Sequence, residues 1–214
     1  MTSSLISLAA PWIASGRIDS MLINWQSRQL RLKIVYYGPA MSGKTTNLEQ
    51  IHAKINPASR SDLVSLKTHE ERTLYFDFMQ FELGKICGLT PNIQLYTVPG
   101  QDYYKSSRRL VLRGADGVVF VADSDAARVE DNIESWKDMD AYLASSNPPA
   151  NDLPMVIQYN KRDLNNALPT QVLRTNLGYS RLPEIEAVAV NGIGVLDTLK
   201  AILNRVIIQV QATV

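Results

Sequence analysis

Residues 31–49, RLKIVYYGPAMSGKTTNLE, decide the fold. An apolar run ends at Gly38, Gly43 follows five residues on, and Lys44 and Thr45 come next. The pattern is G-x-x-x-x-G-K-[ST]. A Gly-rich turn between a strand and a helix aims backbone N–H groups inward, into an anion-sized nest. Lys44 is placed to reach terminal phosphates, and the Thr45 hydroxyl to sit on Mg²⁺. An ordinary strand-to-helix turn could carry the same residues, but here a strand reading precedes the motif and a helix reading follows it, as the chemistry requires. The phosphate side is therefore assigned to Gly38, Ala40, Met41, Ser42, Gly43, Lys44, Thr45 and Thr46.

The bulk numbers agree with one α/β domain. The chain has 214 residues, 45% apolar and 20% charged, with a net charge of +1. Such a balance gives nothing global to draw it to nucleic acid or acidic lipid. A single cysteine, Cys87, excludes an internal disulfide and reads as a small packing residue near the turn before Pro91. No run reaches the ~18 apolar residues of a membrane helix. The opening residues 1–20 carry an apolar patch broken by Pro11, with their first basic residue, Arg17, behind it, which is the wrong order for a secretory signal. They read as a disordered extension, a weak amphipathic anchor or an unused upstream start, with the domain proper at 21–214.

Periodicity organises the rest. A strand ends at Gly38, and residues 45–55 read as a helix stopped by Asn56-Pro57. Residues 57–72 are polar and Ser-rich, a candidate functional loop. TLYFDFMQFEL (73–83) alternates as a half-exposed strand, with NIQLYTV (92–98) as its hairpin partner. A short helix follows, whose Lys105, Arg108, Arg109 and Arg113 read as a solvated face. GVVFVAD (117–123) and PMVIQYN (154–160) are buried strands; 128–143 is a helix, with Trp136 as packing. A short helix after Pro169, a strand at 186–190 and a closing helix from 195 to about 211 complete the order. The expected architecture is a six-stranded, mostly parallel sheet with one antiparallel edge strand and helices on both faces. Ligands on such sheets bind beyond the carboxyl ends of the strands.

Each further motif follows a strand. Asn160-Lys161-Arg162-Asp163 ends PMVIQYN. Asp163 can accept from the N1–H and exocyclic amine of guanine; adenine offers no such donor pair. Asn160 can brace the phosphate loop, and the Lys161 stem can lie on the base. The loop at Val188, Ala189 and Val190 comes up beside it. Two loops are placed for the γ-phosphate. Thr73 can bind Mg²⁺ through its hydroxyl, and Arg72 can supply an arginine finger in cis, or merely cap a strand. The Gly100 N–H can donate to the γ-phosphate, and Gln101 can orient the attacking water. Tyr103 and Tyr104 adjoin that loop and suit a partner contact. His52 and His69 lack neighbours at metal-ligand spacing.

KIVYYGPAMSGKTTNLE, ERTLYFDF, LYTVPGQDYY, RRLVLRGADGVVFVADS, VIQYNKRDL and EAVAVNGIGVLDTLK together resemble the Ras superfamily of small P-loop GTPases, and within it the MglA-type bacterial gliding-motility GTPases. The resemblance runs from about Met21 to the last helix. TVPGQ, in place of D-x-x-G-Q, points to the bacterial group. The resemblance implies slow GTP hydrolysis with Mg²⁺, a GTP/GDP cycle, and a homodimeric roadblock-fold activator (MglB-like). It also implies motility or polarity effectors for the GTP state, in a cytoplasmic protein recruited to a cell pole. It gives Arg72, Thr73 and Gln101 the catalytic and metal roles, and puts Thr97 in place of the usual Asp, so that metal affinity is expected to be modest. Ala40 stands where the family has a third glycine, and its methyl is expected to slow hydrolysis. The alternatives are a GTP-binding module with negligible turnover, a P-loop ATPase or kinase, against which Asp163 argues, and a switch in a pathway unrelated to motility.

Overall fold

The spine of the molecule is β3 (Gln29–Tyr37). In the computed structural model, which describes residues 17–18, 21–67, 75–99, 105–146, 152–179 and 181–213, β3 lies inside a nine-stranded sheet. The remaining strands are β1 (Arg17–Ile18), β2 (Met21–Asn24), β4 (Val64–Lys67), β5 (Tyr75–Glu82), β6 (Thr90–Thr97), β7 (Gly117–Asp123), β8 (Met155–Asn160) and β9 (Glu184–Glu186). Their order is β4-β5-β6-β3-β7-β8-β9, with β2 on the first half of β3 and β1 on β2. β3, β6, β7, β8 and β9 run parallel; β1, β2, β4 and β5 are antiparallel to their neighbours.

Burial follows the register. β3 alternates up to Lys33 and is then buried on both faces, because parallel pairing with β7 begins only at Ile34↔Gly117. Beyond that point helices cover both sides. On one face, α1 (Lys44–Lys54) and α5 (Val195–Thr213) pack Leu48, Ile51, Ile202 and Val206 onto Leu32, Ile34 and Tyr36. On the other, α2 (Lys105–Leu112), α3 (Val129–Ser145) and α4 (Thr170–Leu177) close over Val35, Phe120 and Ile157 with Val111, Trp136, Met139 and Leu173. Trp136 stands edge-on to Phe120 at 5.0 Å, so it is core, as expected.

The α/β class holds, while four details differ from the sequence reading. Among the described residues the sheet has nine strands rather than six: β1, β2 and β4 are short, and their existence depends on a neighbour's unpaired edge more than on their own residues. Within the supposed loop 57–72 lie a 3₁₀ turn (Pro57–Ser59) and β4. Among the described residues the first backbone pairing is Arg17↔Leu22, in a hairpin between β1 and β2 that the sequence reading did not name. The strand expected at 186–190 is Glu184–Glu186; the chain then bends into a 3₁₀ turn, Ala189–Asn191, followed by left-handed Gly192 and Gly194.

Two side chains also depart from expectation. Cys87 is exposed, because Cys87 and Gly88 (φ 49 and 78) form the two-residue turn between the bridged pair Ile86 and Leu89. Arg108 is buried, only 3% exposed, while Arg109 and Arg113 are exposed. It hydrogen-bonds the Tyr37 hydroxyl, donates through Nε to the Pro99 carbonyl at 2.9 Å and pairs with Asp138 at 3.5 Å. It ties α2 to β3, α3 and the end of β6, rather than sitting on a solvated face.

Candidate nucleotide site

The site lies at the carboxyl ends of the parallel strands. Between β3 and α1 the chain turns at Gly38 (φ 141) and Gly43 (φ 98). A Cβ on Gly38 would lie 2.3 Å from the Val121 carbonyl oxygen, and one on Gly43 2.2 Å from Asn160 Nδ2. Both positions admit only glycine, by contact as well as by φ. No side chain caps α1, so its first N–H groups stay available to an anion. Lys44 is 6% exposed, and its ammonium donates to the carbonyls of Gly38 at 2.9 Å and Pro39 at 2.5 Å. Burial, with help from the nearby Arg108 and Arg128 cations and against Asp77, brings the Lys44 pKa down to about 7. Ser42 is fully buried, Ala40 and Thr46 are half-buried, and Met41 and Thr45 are exposed.

Beside the loop stands a carboxylate that the sequence reading missed. Asp77, in the middle of β5 and 2% exposed, accepts from Thr45 Oγ1 at 2.6 Å and Thr97 Oγ1 at 3.0 Å on Oδ2. Ser65 Oγ donates to its Oδ1 at 2.7 Å. Thr97 therefore does not stand alone where a carboxylate is usual; β5 brings the carboxylate in from the neighbouring strand. The signal was present in TLYFDFMQFEL: Asp77 falls on the same alternating face as Met79 and Phe81, the inward one. The Asp77 carboxylate and the Thr45 hydroxyl bound to it, beside a phosphate nest, form a hard-oxygen donor set that suits Mg²⁺, which takes few protein ligands and relies on phosphate and water for the rest.

On the base side, Asn160 joins two loops. Its Nδ2 donates to the Ser42 carbonyl at 2.8 Å, and its Oδ1 accepts from the Ala189 N–H at 2.8 Å. Lys161 adopts φ 65, and its ammonium pairs with fully buried Asp123 at 2.6 Å. Asp163 is exposed and accepts no hydrogen bond from a described residue. Val188 and Ala189 are buried, and Val190 is exposed. Gln50 and Lys54 of α1 donate to the carbonyls of Val190 and Gly192, holding this turn near the phosphate loop.

The sequence profile of the ADP-ribosylation factor family matches residues 18–206. The Mutual gliding-motility protein MglA of Myxococcus xanthus is 48% identical over 189 residues, spanning 88% of this chain and 97% of that protein. This chain is an MglA-type small GTPase of the ADP-ribosylation factor family. More distant relatives include the Ras-related protein RABG1 of Arabidopsis thaliana, 27% identical over 145 residues (67% of this chain, 65% of that one). The Ras-related protein Rab-7a of Dictyostelium discoideum is 27% identical over 139 residues (65% and 63%).

This MglA-type GTPase is a GTP hydrolase. Among its described residues no helix is long and apolar enough to cross a membrane. The structure brings the phosphate-loop residues, Asn160, Lys161 and Ala189 together at one rim. Arg72, Thr73, Gly100, Gln101, Tyr103, Tyr104, His69 and the first sixteen positions lie outside the described residues.

Proposed function

We propose that this chain is a GTP/GDP switch in which Lys44, the loop amides of Gly38 to Thr46 and the first turn of α1 hold the phosphates, and Asp163 reads guanine. The observation that carries the reading is the double role of Asn160, which fastens the phosphate loop to the base-side turn through one amide. That geometry suits a single ligand with an anionic end and a base at the other. Val188, Ala189 and Val190 line the base, with the Lys161 stem against it. Thr45 and Asp77, with Thr73 in the GTP state, would hold Mg²⁺, which would supply positive charge against the phosphates. Gln101 orients the attacking water, the Gly100 N–H donates to the γ-phosphate, and Arg72 offsets the charge that builds up in the transition state.

The turnover proposed is slow, with a roadblock-fold homodimer as activator. The pathway is cell polarity or gliding motility, in keeping with the name of the Myxococcus xanthus relative. The protein acts in the cytoplasm and reaches a pole through its partners. Calorimetry with Mg²⁺ tests the core of the reading: GTP and GDP should bind and ATP should not, and equal uptake of ATP would overturn it.

A second reading, binding with negligible turnover, draws on Ala40, whose methyl group sits on the phosphate loop. Single-turnover phosphate release decides between the two. Ala40→Gly is expected to release phosphate faster than the wild type, about tenfold if the methyl obstructs a near-attack geometry. Equal rates would remove the methyl from the account.

A further inference from the structure

Pro39 to Ser42 form a β-turn, closed by the Ser42 N–H on the Pro39 carbonyl at 3.4 Å. Its third residue, Met41, has φ 60, whereas Ala40 is not among the positive-φ residues. Positive φ at the third position alone makes the turn type II, a place that favours glycine or asparagine. Methionine there is under steric penalty. Flipping the Ala40–Met41 peptide would convert the turn to type I and relieve that penalty. The flip would also swap the sides on which the Ala40 carbonyl and the Met41 N–H lie, since a trans peptide points the two in opposite directions.

Arg128 opposes the flip. Its Nη2 donates to the Ala40 carbonyl at 2.9 Å, and its Nη1 pairs with Asp131 at 2.7 Å. Arg128 comes from the 3₁₀ turn Ala126–Arg128 after β7, and that turn is itself fixed. Asp125 accepts from the Ala127 N–H at 2.8 Å and from Asn166 Nδ2 at 2.8 Å, and the Arg128 N–H donates to the Asp125 carbonyl at 2.9 Å. Asn166 lies just past Asp163 in the base-side loop. A continuous set of hydrogen bonds thus runs from the base-side loop through Arg128 to the phosphate loop.

We propose that Arg128 is a positioning residue for the nucleotide: by holding the Ala40 carbonyl it locks the type II turn and keeps the Met41 N–H turned into the phosphate nest. Without it the peptide relaxes toward type I and presents a carbonyl oxygen, an acceptor, to phosphate oxygens that need a donor. This inference rests on the GTP-binding reading of the same site.

A double-mutant cycle tests it, read as the dissociation constant of GTP with Mg²⁺. Arg128→Ala should weaken binding about ten- to a hundredfold, the scale of one lost charge-assisted hydrogen bond. In the Met41→Gly background the same change should weaken it by no more than about threefold, because glycine takes the third position of a type II turn without penalty. Arg128→Lys, which keeps the charge, should fall between wild type and Arg128→Ala. If Arg128→Ala binds like the wild type, or weakens binding equally in both backgrounds, the turn-locking role is overturned; the second result would mean that charge alone matters. If Arg128→Ala does not fold, the same cycle is run with Arg128→Gln under the same criteria. Absence of GTP binding by the wild type would instead defeat the underlying nucleotide reading.

Discussion

Asp163 stands exposed after β8 and accepts no hydrogen bond from a described residue, which leaves its acceptors facing the base side. Asp163→Asn should reverse the polarity of that edge. GTP affinity should fall about ten- to a hundredfold and xanthosine triphosphate should gain by a similar factor; competition binding with the two nucleotides checks this. Asp77 is a different case, since three hydroxyls already surround it. Asp77→Asn keeps the shape and removes the charge. The Mg²⁺ needed to half-saturate GTP binding should rise about tenfold or more, while GTP binding in excess metal recovers. A metal titration with no change would put Asp77 in a purely structural role. Lys44 adds a pH signature. Its folded pKa, about 7, lies below the ordinary 10.5, so the strain of charging it is full below pH 7 and fades as pH rises toward 10.5. Phosphates favour the ammonium form. Binding of GTP at pH 8 should therefore take up close to one proton, measured by calorimetry in two buffers of different ionisation enthalpy; no buffer dependence would contradict it.

At the level of elements, β7 and α5 meet at Gly117. A Cβ there would lie 2.8 Å from Val206 Cγ2 and 3.1 Å from Ile202 Cδ1. Gly117 has no positive φ, so its requirement is purely one of space. Gly117→Ala should destabilise the domain by about 1–3 kcal/mol through overpacking, with its denaturation midpoint lowered in urea and the slope unchanged. The effect should survive saturation with GDP, because Gly117 opens β7, at the opposite end of that strand from the loops that hold phosphate. α2 is fixed in a contrasting way. A single buried cation, Arg108, ties it to three other elements, adding directional polar contacts to the packing of Val111 and Leu112.

For the molecule as a whole, the central strands were legible because burial on both faces writes short, largely apolar runs. GVVFVAD and MVIQYN read as strands by their length, their β-branched and aromatic residues and the turn signals around them. The phosphate loop and Asn160-Lys161-Arg162-Asp163 were legible because their chemistry fixes both residue type and spacing. What escaped was information held by partners. β4 and β1 are strands only because β5 and β2 offer them an edge. Asp77 lies on the inward face of its strand, but only α1, β4 and β6 bring it the three hydroxyls that mark it as part of the site. Arg108 looks like part of an exposed basic face until Tyr37 and Asp138 claim it. Asn160 was expected to brace the phosphate loop, but not to hold the base-side turn with its other atom. That shared amide has a thermodynamic corollary. Guanosine and inorganic diphosphate, supplied as separate molecules, should each tighten the hold on the other, because whichever arrives first has already ordered half of its companion's berth.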